Sequence, residues 1–293
     1  MAGTSDRTLL AICTRNRPDQ LRRLLTTLLS AIETTSIPVR LFVADNGDSD
    51  EARTLVSELT SAGASIGYVA VAERGVSRVR NAAFDERRPG EHLLFIDDDE
   101  WPAPDFFDAV ARGLERFPGC LLGFEQTGVI GDEHFPTFGP DVQDGDVIEA
   151  CGFGNILIPS DLLDQFPLRC DLRYARSGGE DTDFCFAARK RGYVTVALPS
   201  AVCFETRDHV RRTLRYRWKR SFAEGAIYSD ILRRHQRSRL VTRVPRLLVR
   251  TVIGLGLAVL DGVRGQGFGR GIESCALGVG GFAGLVGVLP ARY

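Results

Sequence analysis

The chain has 293 residues, of which 44% are hydrophobic and 26% charged, which is enough apolar material for a full globular core. Its seven cysteines are irregularly spaced and include no CxxC pair, which excludes an obvious disulfide framework or zinc site and favours reduced thiols. The net charge of −1 hides an asymmetry, because residues 207–250 hold 13 arginines and one lysine against three acids. Such a basic block suggests an anionic surface as a partner.

Strand and helix patterns alternate along the first 125 residues. Apolar runs at 9–14, 39–44, 66–72, 93–96 and 120–124 predict buried strands, and segments from residue 18 and at 50–59, 75–84 and 104–117 predict helices. This alternation is typical of βαβ units. We therefore predict an α/β fold with a Rossmann-type, mostly parallel sheet flanked by helices.

The pattern becomes less regular beyond residue 125. Residues 128–146 are rich in Gly, Pro and Asp and predict a long functional loop. Strands are predicted at 153–159 and 194–198, with a helix at 180–191 between them. We expect residues 1–206 to form one domain.

Residues 207–293 differ from the rest and predict a separate basic and apolar helical region. A basic helix is expected at 211–234, followed by an apolar segment at 247–260. Residues 274–291 carry no charge but contain five glycines, which weaken a helix. That length and composition favour a helix lying on a membrane surface or packed in the protein over a membrane span.

Three adjacent carboxylates, Asp97, Asp98 and Asp99, follow the predicted strand at 93–96. Like charges this close repel, and Mg²⁺ or Mn²⁺ would compensate them with hard oxygen ligands. Ligands bind at the carboxyl ends of strands in open α/β sheets. A solvated acidic turn before the next helix is the alternative, but three acids exceed what a helix cap needs.

Polar loops follow the other strands at the same predicted edge. Thr14 and Arg15 come after the first strand, and Asp45 comes after the second. Near the start of a later helix, Arg74, Arg80 and Asn81 belong to a segment suited to phosphate. The alternative for that segment is a solvated basic helix face.

A second acidic motif, Gly178-Gly179-Glu180-Asp181, begins the helix predicted at 180–191. Taken alone, it is a helix cap. Combined with a metal site earlier in the chain, its carboxylate becomes a candidate general base. The chain contains no Walker lysine, GxGxxG or HExxH motif, which argues against a P-loop hydrolase, a dinucleotide enzyme and a zincin.

Together these segments resemble the family 2 glycosyltransferases, which have the GT-A fold. The resemblance covers residues 9 to about 205, and the acidic strings are similar to the succinoglycan-type glucosyltransferase branch. The segments that carry it are Ile12-Cys13-Thr14-Arg15-Asn16-Arg17-Pro18, Val43-Ala44-Asp45-Asn46-Gly47, Arg74-Gly75-Val76-Ser77-Arg78-Val79-Arg80-Asn81, Phe95-Ile96-Asp97-Asp98-Asp99-Glu100-Trp101-Pro102 and Gly178-Gly179-Glu180-Asp181-Thr182-Asp183-Phe184.

The resemblance implies an inverting, metal-dependent transfer of sugar from a nucleotide-sugar, commonly UDP-linked, to a saccharide or lipid-linked acceptor in bacterial polysaccharide or glycoconjugate synthesis. It implies that Asp45 contacts the uracil or ribose near Thr14, that Asp97 faces the ribose, and that Asp99 holds the metal as part of a DXD motif. Asp98 matches less clearly. Asp181 is the implied base. The C-terminal region would place the protein peripherally on the inner face of the cytoplasmic membrane.

One position departs from this pattern. Many relatives carry a histidine after the last core strand, where this chain has Thr206, and His209 is a substitute candidate. Two other functions stay open at this point: a nucleotidyltransferase acting on a sugar phosphate, and a nucleic-acid binder using the basic block. The first would want an early basic glycine-rich loop, and the second leaves the acidic cluster unexplained.

Overall fold

The computed structural model describes residues 7–206, 213–263 and 269–291, except the side chains of residues 261–263 and 269. Contacts divide these residues into two units. The first contains the described residues up to Leu172 together with Phe184–Thr206, and the second contains Arg173–Asp183 together with the described residues after Thr206.

The first unit is built on one mixed sheet. Its strands are β1 (Thr8–Thr14), β2 (Val39–Asp45), β3 (Ile66–Ala70), β4 (His92–Asp97), β5 (Glu100–Pro102), β6 (Leu121–Ile130), β7 (Glu133–Pro136), β8 (Val147–Ile148), β9 (Asn155–Ile158) and β10 (Thr195–Thr206). Its helices are α1 (Pro18–Ile32), α2 (Glu51–Ser61), α3 (Val76–Glu86), α4 (Phe106–Arg116) and α5 (Ser160–Gln165). A further helix, α6 (Glu180–Arg189), belongs to the second unit up to Asp183 and to the first unit from Phe184 onward.

The strand order is β3-β2-β1-β4-β9-β6-β10-β5, with β7 paired to β6 and β8 to β10. The first four strands are parallel, whereas β9 runs antiparallel to both β4 and β6. Beyond β9, β6 and β10 again pair in parallel, and the other antiparallel strands are the short β5, β7 and β8. The predicted α/β class, with helices flanking a mostly parallel central sheet, is confirmed.

Two apolar clusters cover the two faces of this sheet. In β1, Leu10 and Ile12 belong to one cluster and Leu9 and Ala11 to the other. This alternation is the period of two expected of a strand. On one face, α1 packs against the sheet with four completely buried leucines, Leu21, Leu24, Leu25 and Leu28. The burial of each leucine contributes roughly 1.5–3 kcal/mol to stability.

The second unit contains α7 (Leu214–His235), α8 (Leu240–Val263) and α9 (Gly269–Leu285), with a 3₁₀ turn at Arg237–Arg239. Glycines of α9 allow backbones to approach closely. A methyl group added at Gly284 would overlap the carbonyl of Ala226 in α7, and one added at Gly271 would overlap Ala258 in α8. The glycines of the uncharged segment thus serve helix packing. Within the described residues, no helix combines the length and apolar character that a membrane crossing needs.

Most predicted elements are present, but three regions differ. The predicted loop at 128–146 contains the end of β6 and the short strand β7, because Gly131 adopts a left-handed turn (φ 57°) and reverses the chain. The strand predicted at 194–198 continues as β10 to Thr206, past Pro199, through a register shift between Leu198 and Val202. The elements β5, β8 and α5 are too short to give a periodic signal.

Candidate active site

The register of the parallel strands brings three polar side chains to one edge of the sheet. Thr14, the last residue of β1, lies opposite Asp45 at the end of β2. On the other side of β1, Cys13 lies opposite Asp97 at the end of β4. This is the carboxyl edge, where ligands bind in open α/β sheets.

Asp98 is the most buried acid of the cluster and is held by two donors. Thr14 Oγ1 donates to its Oδ2 at 2.7 Å, and Arg17 Nη1 donates to its Oδ1 at 2.8 Å. Burial raises the pKa of Asp98, while Arg17 and Thr14 oppose the rise. Asp98 therefore stabilises the loop after β1 rather than facing solvent.

Asp99 shares the same guanidinium. Arg17 Nη1 lies 2.9 Å from Asp99 Oδ2, so one arginine bridges two neighbouring carboxylates. The backbone oxygen of Asp99 also accepts a hydrogen bond from Arg23, whose guanidinium lies 4.3 Å from the ring centroid of Trp101. The sequence pattern did not single out Arg17. Its position three residues after Thr14 was the only available signal.

Asp97 has the weakest compensation of the three. The nearest described cation is Arg80, at 3.6 Å from Oδ1, and Arg80 itself is buried beside the ring of Phe153. Burial raises the pKa of Asp97 to about 6, and Asp98, Asp99 and Glu205 add to the rise while Arg80 opposes it. The carboxylate also packs against Gly154, where an added methyl group would lie 2.5 Å from Oδ2.

A fourth acid, Glu100, follows directly and is completely buried. Asn155 donates to both of its oxygens at 2.7 and 2.8 Å, and Gln126 donates to Oε1. Burial, reinforced by Asp97 and Asp99, raises the pKa of Glu100 well above its usual value. Sequence reasoning treated Glu100 only as part of the acidic string, because nothing in the pattern shows that the chain turns back into the sheet at β5.

Asp45 is buried and already hydrogen-bonded. It accepts from the backbone N–H of Gly47 at 2.7 Å and from the hydroxyl of Tyr68 at 2.9 Å. With Asn16, Gly47 and Ser49, Asp45 lines a shallow depression beside the start of α2.

The other predicted phosphate and nucleotide ligands separate into two groups. Arg74 and Arg15 both approach Asp48, at 2.7 and 3.8 Å, and the hydrogen bond from Arg74 lowers the pKa of that acid. These three side chains are at least one third exposed. Asn81, in contrast, exchanges two hydrogen bonds with the backbone of Cys170 and ties α3 to the chain before the second unit.

The second acidic motif belongs to the second unit. Glu180 is buried and Asp181 is partly exposed at the start of α6. Both hydrogen bonds that described residues donate to Asp181 come from Thr182 and go to Oδ1. Two residues later, Asp183 contacts His235 Nε2 at 2.8 Å and Arg234 at 3.1 Å, which fixes the first turn of α6 against the end of α7.

Thr206, where the resemblance predicted a histidine, ends β10. Its hydroxyl accepts a hydrogen bond of 3.5 Å from Arg23. His209 lies outside the described residues. Among the described residues, no group of three or more His, Cys, Asp or Glu side chains is arranged to hold a metal ion.

Comparison with known proteins supports the interpretation of the fold. The mannosyltransferase PcManGT of Pyrobaculum calidifontis, solved with GDP-Man and Mn²⁺, superposes with a TM-score of 0.61 at 14% identity, covering 95% of this chain and 87% of that one. Residues 1–349 of S. aureus TarS, solved with UDP-GlcNAc, give a TM-score of 0.53 at 11% identity and cover 94% and 91% of the two chains. The chain spans only 43% of a longer TarS chain.

Sequence comparison finds similarity to glycosyltransferases. One curated relative is the succinoglycan biosynthesis protein ExoM of Rhizobium meliloti (strain 1021), which is 26% identical and aligns over 76% of this chain and 74% of its own length. This likeness agrees with the succinoglycan-type branch suggested by the acidic strings. Residues 10–126 match the model of glycosyl transferase family 2. The chain therefore has a GT-A-like fold, and its residues 10–126 are similar in sequence to glycosyl transferase family 2.

Proposed function

We propose that the protein transfers a sugar from a nucleotide-sugar, most simply a UDP-sugar, to a saccharide or lipid-linked acceptor in bacterial polysaccharide or glycoconjugate synthesis, with inversion at the anomeric carbon. The observation that carries the proposal is the convergence of Asp45, Thr14 and the acids Asp97–Asp99 on one sheet edge. The UDP-GlcNAc bound to TarS and the likeness to ExoM support the donor and the pathway class.

In this proposal the nucleoside occupies the shallow depression beside Asp45. The Asp45 carboxylate is preorganised there by Gly47 and Tyr68, so its orientation costs little when a base or ribose arrives. Arg15 and Arg74 are exposed on the same side of the loop, where they can exchange Asp48 for a phosphate oxygen. Arg80 and Asn81 lie in the neighbouring helix α3, where Arg80 approaches Asp97 and Asn81 is hydrogen-bonded to the backbone of Cys170.

The acids present fit a divalent cation that is completed by its substrate. Asp97 and Asp99 offer hard carboxylate oxygens at the end of β4, and the nearest described cation to Asp97 is Arg80, 3.6 Å from its Oδ1. Mg²⁺ and Mn²⁺ commonly bind through one or two carboxylates together with substrate phosphates. Such a cation would stabilise negative charge on the departing diphosphate.

Asp181 is the proposed general base. Its Oδ1 is oriented by Thr182, which fixes the carboxylate at the first turn of α6. A positioned carboxylate can accept the proton of an acceptor hydroxyl as that hydroxyl attacks the sugar. A single displacement assisted by one base inverts the anomeric centre, whereas retention would require a second carboxylate acting as a nucleophile.

The central test replaces Asp181 with Asn. We expect Asp181→Asn to bind UDP-sugar in the presence of Mn²⁺ as the wild type does, and to lose sugar transfer by 10²-fold or more, the order of a general-base contribution. Calorimetry measures binding, and release of UDP measures turnover. The donor is identified beforehand by screening UDP-, GDP- and dTDP-sugars with and without Mn²⁺.

Asp161→Asn is the matched control, because Asp161 is also an exposed acid in the first turn of a helix, α5. It should retain full turnover. Wild-type rates in Asp181→Asn would show that another group removes the proton. Equal binding and turnover in chelated and metal-loaded protein would contradict the proposed cation.

A further inference from the structure

One helix of the second unit exposes far more apolar surface than a packed helix normally does. The side chains of Val252 and Val259 in α8 are 61% and 67% exposed. Their neighbours on the same side are also more than half exposed. We call this set the apolar face of α8: Leu248, Val249, Val252, Ile253, Leu255 and Val259. Contiguous apolar surface of this kind marks a binding site for a partner or a membrane.

The apolar face is not used to hold the helices together. α8 contacts α9 through a different stripe, in which Leu247 and Gly254 are buried. Close approaches of Gly254 to the backbone of Cys275, and of Gly271 to the backbone of Ala258, show that this stripe is packed backbone to backbone. At 100° per residue, the centre of the apolar face lies on the opposite side of the helix from the stripe.

A row of arginines borders the apolar face at the N-terminal half of α8. Arg243, Arg246 and Arg250 follow helical spacing, and Arg239 precedes them in the 3₁₀ turn. Arg243 lies 4.6 Å from the ring centroid of Tyr228. Arg246 and Arg250 are exposed, and no carboxylate of the described residues pairs with them. The sequence contains no acid between Asp230 and Asp261.

We propose that α8 lies in the surface of an anionic lipid bilayer, with its apolar face inserted among the acyl chains and its arginines at the headgroups. Apolar side chains beside a basic row are what an interfacial helix requires. The arginines also explain why the helix lies flat, because a charged side chain at the bilayer centre is costly. A second copy of the chain fits less well, since a symmetric contact through this face would bring uncompensated arginines together.

This proposal goes beyond the proposed function by naming a membrane-binding surface of the second unit and its lipid chemistry. Its test uses the full chain, lipid vesicles and no sugar substrate, so that it can fail while glycosyl transfer stands. We expect sedimentation with vesicles containing phosphatidylglycerol, and weak binding to pure phosphatidylcholine.

Val252→Gln should lower the partition coefficient about tenfold, because an inserted valine becomes polar. Val147→Gln is the matched control, since Val147 in β8 is a valine of nearly equal exposure, 64%, in the first unit. It should bind vesicles like the wild type. Far-UV circular dichroism and thermal unfolding of both variants should match those of the wild type, which shows that the fold is intact.

The arginines are tested separately from the apolar side chains. Arg246→Gln and Arg250→Gln should each weaken binding to the anionic vesicles about fivefold, whereas Arg246→Lys, which keeps the charge, should bind normally. Vesicle binding by Val252→Gln at the wild-type level would overturn the proposal. So would a wild-type dimer in analytical ultracentrifugation that Val252→Gln converts to a monomer, because the face would then be a subunit contact.

Discussion

The bridge from Arg17 to Asp98 and Asp99 gives the sharpest prediction for stability. The variant Arg17→Gln loses the guanidinium that donates to the buried Asp98, and the Thr14 hydroxyl is then the remaining side-chain donor to Asp98 among the described residues. A hydrogen bond to a charged group contributes about 1.5–3 kcal/mol, and the 46% exposure of Arg17 places this one toward the lower end. We expect a loss of about 1.5–2 kcal/mol of unfolding free energy at neutral pH.

The loss should depend on pH with a definite sign. Burial raises the pKa of Asp98 in the folded state, so its contribution to stability falls as pH rises through that pKa. Removing Arg17 raises the pKa further. The difference between variant and wild type should therefore be largest at neutral pH and should shrink in acid, where Asp98 is protonated in both proteins.

Urea unfolding measures this difference in the first unit alone when Trp218 is replaced by Phe in every protein. The chain has two tryptophans, so the fluorescence of the remaining Trp101, two residues after Asp99, reports on this unit. Arg22→Gln is the control, because Arg22 pairs with Glu58 and both side chains are 55% exposed. Equal unfolding midpoints for the Arg17 and Arg22 variants, or a loss that does not change with pH, would refute the reasoning.

Three further predictions concern the site and the cores. Because Asp97 has a pKa of about 6, Mn²⁺-dependent binding of UDP, followed by calorimetry, should weaken about tenfold per pH unit below that value. Gly113→Ala should destabilise the first unit by about 1–3 kcal/mol in urea, since the added methyl meets a leucine of β10 at 2.7 Å, whereas Gly139→Ala, in open space, should be neutral. Tyr174→Phe should cost about 1–3 kcal/mol in thermal unfolding of the second unit, because the completely buried Asp230 loses a hydroxyl donor at 2.9 Å; an unchanged transition would show that solvent replaces it.

Sequence periodicity was sufficient to predict much of the fold, because in a long amphipathic segment the spacing of the apolar residues indicates which face is buried. The leucines of α1 and the apolar run of β4 are examples, since each follows a single period over its length. In contrast, β5 and β8 are three and two residues long, and pairing partners distant in sequence create them. The antiparallel insertion of β9 is likewise fixed by tertiary contacts that no local pattern records.

The candidate site shows the same division. The sequence placed acids at the end of β4, because a strand pattern ends where the charges begin. It could not assign different environments to Asp97, Asp98 and Asp99, because these depend on Arg17 and Arg80, which come from other elements. The sequence predicts that a divalent cation compensates these charges, and the structure shows that Arg17 and Arg80 also pair with them.

The contact between Asp97 and Gly154 limits how this protein can be redesigned. Residue 154 precedes β9 and faces the carboxylate with bare backbone, so even an alanine there would displace Asp97 by van der Waals overlap. Libraries that aim to change donor preference should therefore leave this position unvaried. Arg15 and Arg74, the exposed residues that pair with Asp48, can be varied instead without disturbing Asp97, because their side chains are accessible to solvent.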